Sequence, residues 1–480
     1  NGNNDEDLLY GGKDVPNTAV IVRTAADIET MCQEIKSGVR HLAKEITVIG
    51  IGRNGALDYH TKPIWGNGTC CKDDNAERIH EIMDGVVTRW YENRNGYKKR
   101  GPLNATESDG AAYFIRASFL FEKYTLSDTY TGDHQKLFHT MFEHLKDLPL
   151  FDLKVGKYGI VGGCDPKHAA KRMRTRVKSP KSHMKIKEKV ISLLNLKDFC
   201  IHGLNLDENT IYRMFDPDDE QNVPAMIDCF RNLGEHRDKD FDDFSFPAHH
   251  NSNPDRSERI PEMKILFHIL HCLDFLLTAK VPLTDHLVNL SKLSHLLFVV
   301  YRASGTDFIP AQNYHNLQSI IKTVYKGIVT CIMEDIDEFF VQLVGDDQLE
   351  NFFCSTRSVY GSSANFDVLQ GEERFSAAVM MEHIYCKFPR LKRPSRRLKA
   401  TKDHWNPRSY LSGLAPGACD PRKENLPQTW KTGRAEAAVI LTRDGVFSAD
   451  EVDFDRIARD EPDCTMYKPR GVYVGVTGHD

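Results

Sequence analysis

Two hydrophobic periods share this chain, and they change over near residue 186. Before it, NTAVIVRT and KEITVIGIGR are rich in β-branched residues and TKPIWGNGTC is a shorter run of the same kind, which predicts strands. NAERIHEIMDGVVTRWYENR repeats its apolar positions at Ile79, Ile82, Val86 and Trp90, the spacing of a helix that buries one face. GPLNATESDGAAYF predicts a weak strand ending at Ser108-Asp109-Gly110, HQKLFHTMFEHLKDLPLFDL a helix, and KYGIVGGCDPKHAAKRMR a strand, a turn and the start of a basic helix. Strands alternating with covering helices imply an α/β layer over residues 1–186.

From 187 to 345 long helical runs dominate, among them EKVISLLNLKDFC, EMKILFHILHCLDFLLTAK and YHNLQSIIKTVYKGIVTCIMEDIDEFFVQLV, so this segment reads as a helical domain. Within it, residues 234–258 are acidic, polar and poor in apolar side chains, which predicts a flexible loop. His249 and His250 in that loop read as a solvated pair, and His268 and His271, one turn apart on a helix, as core or boundary histidines without a third ligand. Residues 346–400 predict a further helix followed by a basic segment, and residues 401–480 read as Pro/Gly-rich and irregular.

Composition narrows the classes. With 63 Lys and Arg against 68 Asp and Glu the net charge is -5, so any nucleic-acid contact must be a local patch. Twelve cysteines without regular spacing fit reduced, packed thiols better than a disulfide framework, and neither Cys70-Cys71 nor the Cys164/His168 pair completes a zinc set. No run reaches the roughly 18 apolar residues of a membrane span, and NGNNDEDLLY has no leader pattern. IGIGRNGA has glycines but no phosphate-loop pattern.

Three acids stand out by context: Asp109 at a strand end, Asp165 in CDPKH after another strand, and Glu350 at the start of a helix. Two-metal phosphoryl transfer needs carboxylates gathered from separate elements, and hard oxygen ligands suit Mg²⁺ or Mn²⁺. Two basic runs accompany them. The first includes Lys167, Lys171, Arg172, Arg174, Arg176 and Lys178, and the second Lys392, Arg393, Arg396 and Arg397. Such runs read either as DNA phosphate contacts or as solvated faces, and the second also as a nuclear import signal. Neither carries interleaved aromatics, so single-strand stacking is not expected of them.

The order of these words resembles the transposases of the P-element and THAP type, and more closely their transposase-like relatives in basidiomycete fungi. The matching residues are Asp165-Pro166-Lys167-His168 with Lys171 and Arg174, then Leu349-Glu350, Phe353 and Arg357 with Gly361, Asn365, Leu369 and Gln370. The resemblance implies an RNase H-like core, a mixed sheet flanked by helices and interrupted by a large all-helical insertion. It implies Asp109 and Glu350 as catalytic metal ligands, Asp165 and His168 as neighbours that orient them, and Arg357 among DNA contacts. Mg²⁺ or Mn²⁺, a guanine nucleotide, DNA, a homo-oligomer and a nuclear setting follow from the same likeness. The family's first acid has no counterpart upstream of Leu8, where NGNNDED is polar, and Asp58 is a poorly placed substitute. The expectation is therefore a domesticated, transposase-derived DNA-binding protein with impaired catalysis. An active Mg²⁺-dependent transposase and an unrelated helical scaffold are the alternatives.

Overall fold

The strand and helix signals resolve into elements, and several of the helices start at an identifiable side-chain cap. A computed structural model describes residues 8–9, 20–21, 24–38, 45–54, 60–69, 76–130, 133–179, 183–215, 222–239, 259–278, 280–359, 368–391 and 414–475. They fall into two units, Asn1–Ile79 with Asp347–Arg393 and His80–Asp346 with Pro394–Asp480.

In the first unit the strands Glu45–Ile51 and Lys62–Thr69 pair antiparallel, with a register slip between Ile49 and Gly50. The helices Asp347–Ser358 and Val368–Lys387 meet through Phe352 and Phe375, whose ring centres are 5.4 Å apart, and through Ser355 Oγ donating to Glu382 at 2.5 Å. Val48 from the hairpin joins Phe352 and Ala378 in a small apolar cluster. Gln348 Nε2 donates to the Arg53 carbonyl at 2.7 Å, fixing the start of the first helix against the end of the strand.

In the second unit the strands Ala105–Ser108 and Val161–Cys164 run parallel, with Ala105 opposite Val161 and Ser108 opposite Cys164. The helices Ile260–Leu277, Leu283–Ser304 and Ala311–Met333 are buried around most of their circumference, and on the last two the enclosed positions include polar residues such as Asn289, His295, Asn316 and Gln318. None of the described helices is long and apolar enough to cross a membrane.

The elements depart from the sequence reading in three places. The mixed sheet does not form as one hydrogen-bonded sheet among the described residues: strands pair two by two in five ladders, most of them four residues long or shorter, and helix predominates. The run EKVISLL opens as a hairpin, Met184–Ile186 with Lys189–Ile191, because Val190 and Ile191 favour extended backbone and Ser192 then caps the helix Leu193–Asp198 with Asn195 in a reciprocal pair. Within residues 401–480, the helix Leu426–Arg443 replaces the expected irregular chain; Asn425 caps it and Pro427 sits in its first turn, where proline is tolerated. Gly433 lets this helix lie directly on Leu283–Ser304, since a side chain there would strike the Val288 carbonyl, and Ser291 Oγ donates to the Trp430 carbonyl at 2.7 Å. Of the expected acidic loop, Gly234 ends the helix Val223–Gly234, and residues 240–258 lie outside the described residues. Cys70, Cys71 and Asp58 also lie outside them, while Cys164, Cys200, Cys229, Cys272, Cys331 and Cys464 are buried free thiols.

At the centre of the second unit Lys322, 3 % exposed, donates to Glu122 at 2.5 Å and to Asp152 at 2.8 Å. Burial opposes charge on all three. For Lys322 and Asp152 the mutual attraction wins, holding the ammonium above and the carboxyl below their ordinary ranges, whereas burial keeps Glu122 raised. Replacing Lys322 by Met leaves two acids buried against no cation, and we expect a loss of about 3–5 kcal/mol in urea unfolding. Adding Glu122→Gln and Asp152→Asn to Lys322→Met should recover much of it.

Burial pushes the imidazoles of His286 and His295 down to about 3 and that of His315 down to about 4. Each is neutral in the fold and takes up a proton in the unfolded chain near pH ~6.5. Their contribution is therefore complete above that pH and is lost as pH falls toward the folded values, by up to about 1.4 kcal/mol per pH unit for each. Chemical unfolding measured between pH ~7 and ~4 should show this fall, and replacing His295 by Gln should flatten it.

Candidate metal centre

The parallel pair delivers its acids to one edge. Asp165 follows the strand Val161–Cys164 directly and caps the helix Pro166–Lys178, its Oδ1 accepting from the His168 backbone N–H at 2.8 Å. Pro166 at the first helical position and an aspartate before it make this strand-to-helix switch a local consequence of the sequence DPKH. The second oxygen, Oδ2, accepts from the Asp346 backbone N–H at 3.3 Å. Gly345, at φ +129°, allows that approach, because a side chain there would occupy the place of Asp165 Oδ2.

His168 Nδ1 stands 3.3 Å from Asp165 Oδ1 and 3.9 Å from Asp346 Oδ1. One ligand atom each from Asp165, His168 and Asp346 lies within 4.8 Å of the others. Burial works against ionisation of Asp165, yet the His168 hydrogen bonds and the Lys167 charge hold its carboxyl down at about 2. Burial likewise lowers His168, but the Asp165 hydrogen bond and charge outweigh it and the imidazole is raised.

A fourth group faces this cluster from the neighbouring strand. Glu107 lies opposite Gly163 in the ladder, and a side chain at position 163 would strike both of its carboxylate oxygens. The residue as a whole is partly exposed, but its Oε2 is enclosed and has no hydrogen-bond partner among the described residues. Burial, then the charges of Asp165 and Asp346, push its carboxyl well above the usual carboxylate range. Carboxylate oxygens with one imidazole, and an enclosed oxygen without a partner, fit a divalent cation; the imidazole favours Mn²⁺ over Mg²⁺.

The residues expected from sequence are placed as follows. Asp109 stands exposed just past its strand, where its Oδ1 accepts from the Ala111 N–H at 3.0 Å and shapes the turn at Gly110. Glu350 lies in the first turn of the helix Asp347–Ser358, also exposed, and belongs to the first unit, as does the exposed Arg357. Pairing of Asp109 with Glu350 remains a proposal. Lys167 and Lys171 are partly buried on the helix that carries His168. Arg172 donates to the carbonyls of Gly110 and Asp109, at 2.8 and 3.0 Å. Arg174, 1 % exposed, donates to the carbonyls of Met214 and Arg213, and Lys178 is 4 % exposed. Arg176 donates to Phe308, His183 and Asp307 carbonyls. Arg174 and Lys178 are therefore enclosed away from any phosphate, a correction to the solvated or DNA-facing run, because this helix packs inside the unit. Lys392, Arg393, Arg396 and Arg397 lie outside the described residues.

Sequence reasoning passed over Glu107 and Asp346. Asp346 sits in the turn VGDDQ, where an acid beside glycine reads as ordinary turn chemistry; Glu107 is one acid in a four-residue strand, too short for its face to be assigned.

No family model matches the chain, and no curated protein matches it. Among solved structures, a Drosophila P element transposase strand transfer complex matches with a TM-score of 0.43 and 12% identity, covering 80% of this chain and 76% of that chain.

The cap and the cluster are separable by substitution. Asp165→Ala should destabilise the second unit by about 1–2 kcal/mol in urea unfolding, through loss of the cap. Asp165→Asn should restore most of it, since Oδ1 remains an acceptor for the His168 N–H.

Proposed function

We propose that this is a transposase-derived DNA-binding protein that holds a divalent cation between Asp165, His168 and Asp346, with impaired cleavage chemistry. The observation that carries the reading is the convergence of those three ligand atoms within 4.8 Å. The order of DPKH, the helical segment and LENFFCSTR supports transposase descent, including kinship with the fungal transposase-like proteins. A cation at this place would neutralise and polarise a phosphate oxygen. The chain's own part is to orient: the Asp165 cap fixes the strand-to-helix turn, His168 is held by Asp165, and Glu107 approaches from the adjoining strand.

Impaired cleavage rests on the turn-forming role of the Asp109 carboxylate, which accepts from the Ala111 N–H. Asp109, Glu350 and Arg357 remain proposed contributors to the family's reaction, Lys167 and Lys171 proposed phosphate contacts, and the nucleus the proposed compartment.

Titration calorimetry with Mn²⁺ should give binding that Asp346→Asn weakens by about tenfold or more, in the range found when groups around a metal are altered. Absence of Mn²⁺ binding at millimolar concentration would remove the cation from the reading. Plasmid nicking that requires Mn²⁺ and is lost in Asp165→Asn would replace impaired cleavage by an active nuclease.

A further inference from the structure

Away from the cluster, three tyrosine rings of the second unit form a stack. Tyr91 and Tyr158 lie face to face, 4.0 Å between centres and 5° between planes. Tyr97 lies 5.0 Å from Tyr91 at 26°. Because a ring has two faces and Tyr158 covers one of those of Tyr91, Tyr97 covers the other, so Tyr97 ends the pile. Its hydroxyl donates to Glu334 at 2.9 Å, which orients the ring, while the side chain stays partly exposed. Tyr91 is anchored from behind, its hydroxyl oxygen accepting from the Leu103 N–H at 3.3 Å.

The stack is held at a backbone cost. Tyr158 sits at φ +58° and ψ +22°, left-handed backbone that a bulky residue rarely adopts. Such strain, of order 1–3 kcal/mol, persists where surrounding structure or function requires it. Immediately after Tyr97 come Lys98, Lys99 and Arg100, all exposed, on the single turn Tyr97–Arg100. Aromatic faces beside exposed cations are the two parts of a site for unpaired nucleic acid: bases stack on the rings and phosphates meet the charges.

We propose that Tyr97, Tyr91 and Tyr158 with Lys98, Lys99 and Arg100 form a platform for single-stranded nucleic acid, a base extending the pile on Tyr97. The signal was present in sequence as RWYENRNGYKKR, which interleaves aromatics with cations outside both basic runs. The platform needs no divalent ion, so it stands or falls separately from the metal centre.

The test is fluorescence anisotropy in EDTA with labelled dT and U oligomers of about 15 nucleotides, a length within the range that stacking grooves accommodate, and a duplex of equal length. Tighter binding of single strands than of duplex is expected, and the dT and U arms decide whether DNA or RNA is preferred. Tyr97→Leu, which keeps apolar bulk without a ring, should weaken single-strand binding by about tenfold. Tyr97→Phe should retain it despite losing the Glu334 bond. Tyr158→Gly relieves the left-handed backbone and should also weaken binding; thermal melting by circular dichroism, run on every variant, separates loss of binding from loss of fold. Equal affinity for duplex, or unchanged binding in a folded Tyr97→Leu protein, overturns the proposal.

Discussion

The second unit is organised around one buried cation shared by two acids. An ammonium enclosed at the position of Lys322 is tolerable only because Glu122 and Asp152 both reach it, and each acid is tolerable only because other donors complete its shell. Those donors come from distant parts of the chain. The Gly162 N–H donates to Glu122 Oε1 at 2.7 Å, in the strand that leads to Asp165. The Lys154 N–H and the Tyr473 hydroxyl donate to Asp152, the latter from the C-terminal segment. The same ammonium faces the ring of Tyr467 at 4.9 Å. The helix Ala311–Met333, the strand Val161–Cys164 and the chain's last described segment are thus joined by a single charge whose removal none of them could offset locally.

The arginines of the helix Pro166–Lys178 follow the same logic. A guanidinium has five donors and no acceptor, so it can close off several backbone carbonyls at once. Arg172 does this for the turn at Asp109-Gly110, Arg174 for the end of the helix Glu208–Phe215, and Arg176 for the turn at Asp307-Phe308. Positive charge that a sequence presents as a surface run is here largely spent on satisfying carbonyls at element ends, where helices and turns leave acceptors without partners. Cations available to a phosphate must be sought where exposure persists, as at Lys98–Arg100.

What the sequence made legible was punctuation. DPKH marks a strand end, a turn and a helix start, and the structure has all three there, with Asp165 capping the helix. The β-branched run at 45–51, the acid-to-glycine end of the strand at 105–108 and the long apolar helices were equally readable, because each is a local choice made by propensity, period or cap. What stayed hidden depended on which way a face turns. The helix at 426–443 carries Pro427 and Gly433, which read as breakers; in place, one occupies a first turn and the other a helix crossing. Arg174 differs from a solvated arginine only through the carbonyls folded over it.

Glu107 and Asp109 show why register rather than residue type selects the acid that faces the cluster. Residues two apart in a strand share a face, so both would point alike if the strand continued. It ends at Ser108, Gly110 turns at φ +72°, and Asp109 is drawn into hydrogen bonding its own turn, leaving Glu107 as the acid still fixed by the ladder. That ladder is in turn fixed from its other side, since Gly162 is tied to Glu122 and Gly163 faces Glu107. The position of a carboxylate at the candidate cation site therefore depends, through two adjacent glycines of one strand, on the buried pairing of Glu122 with Lys322.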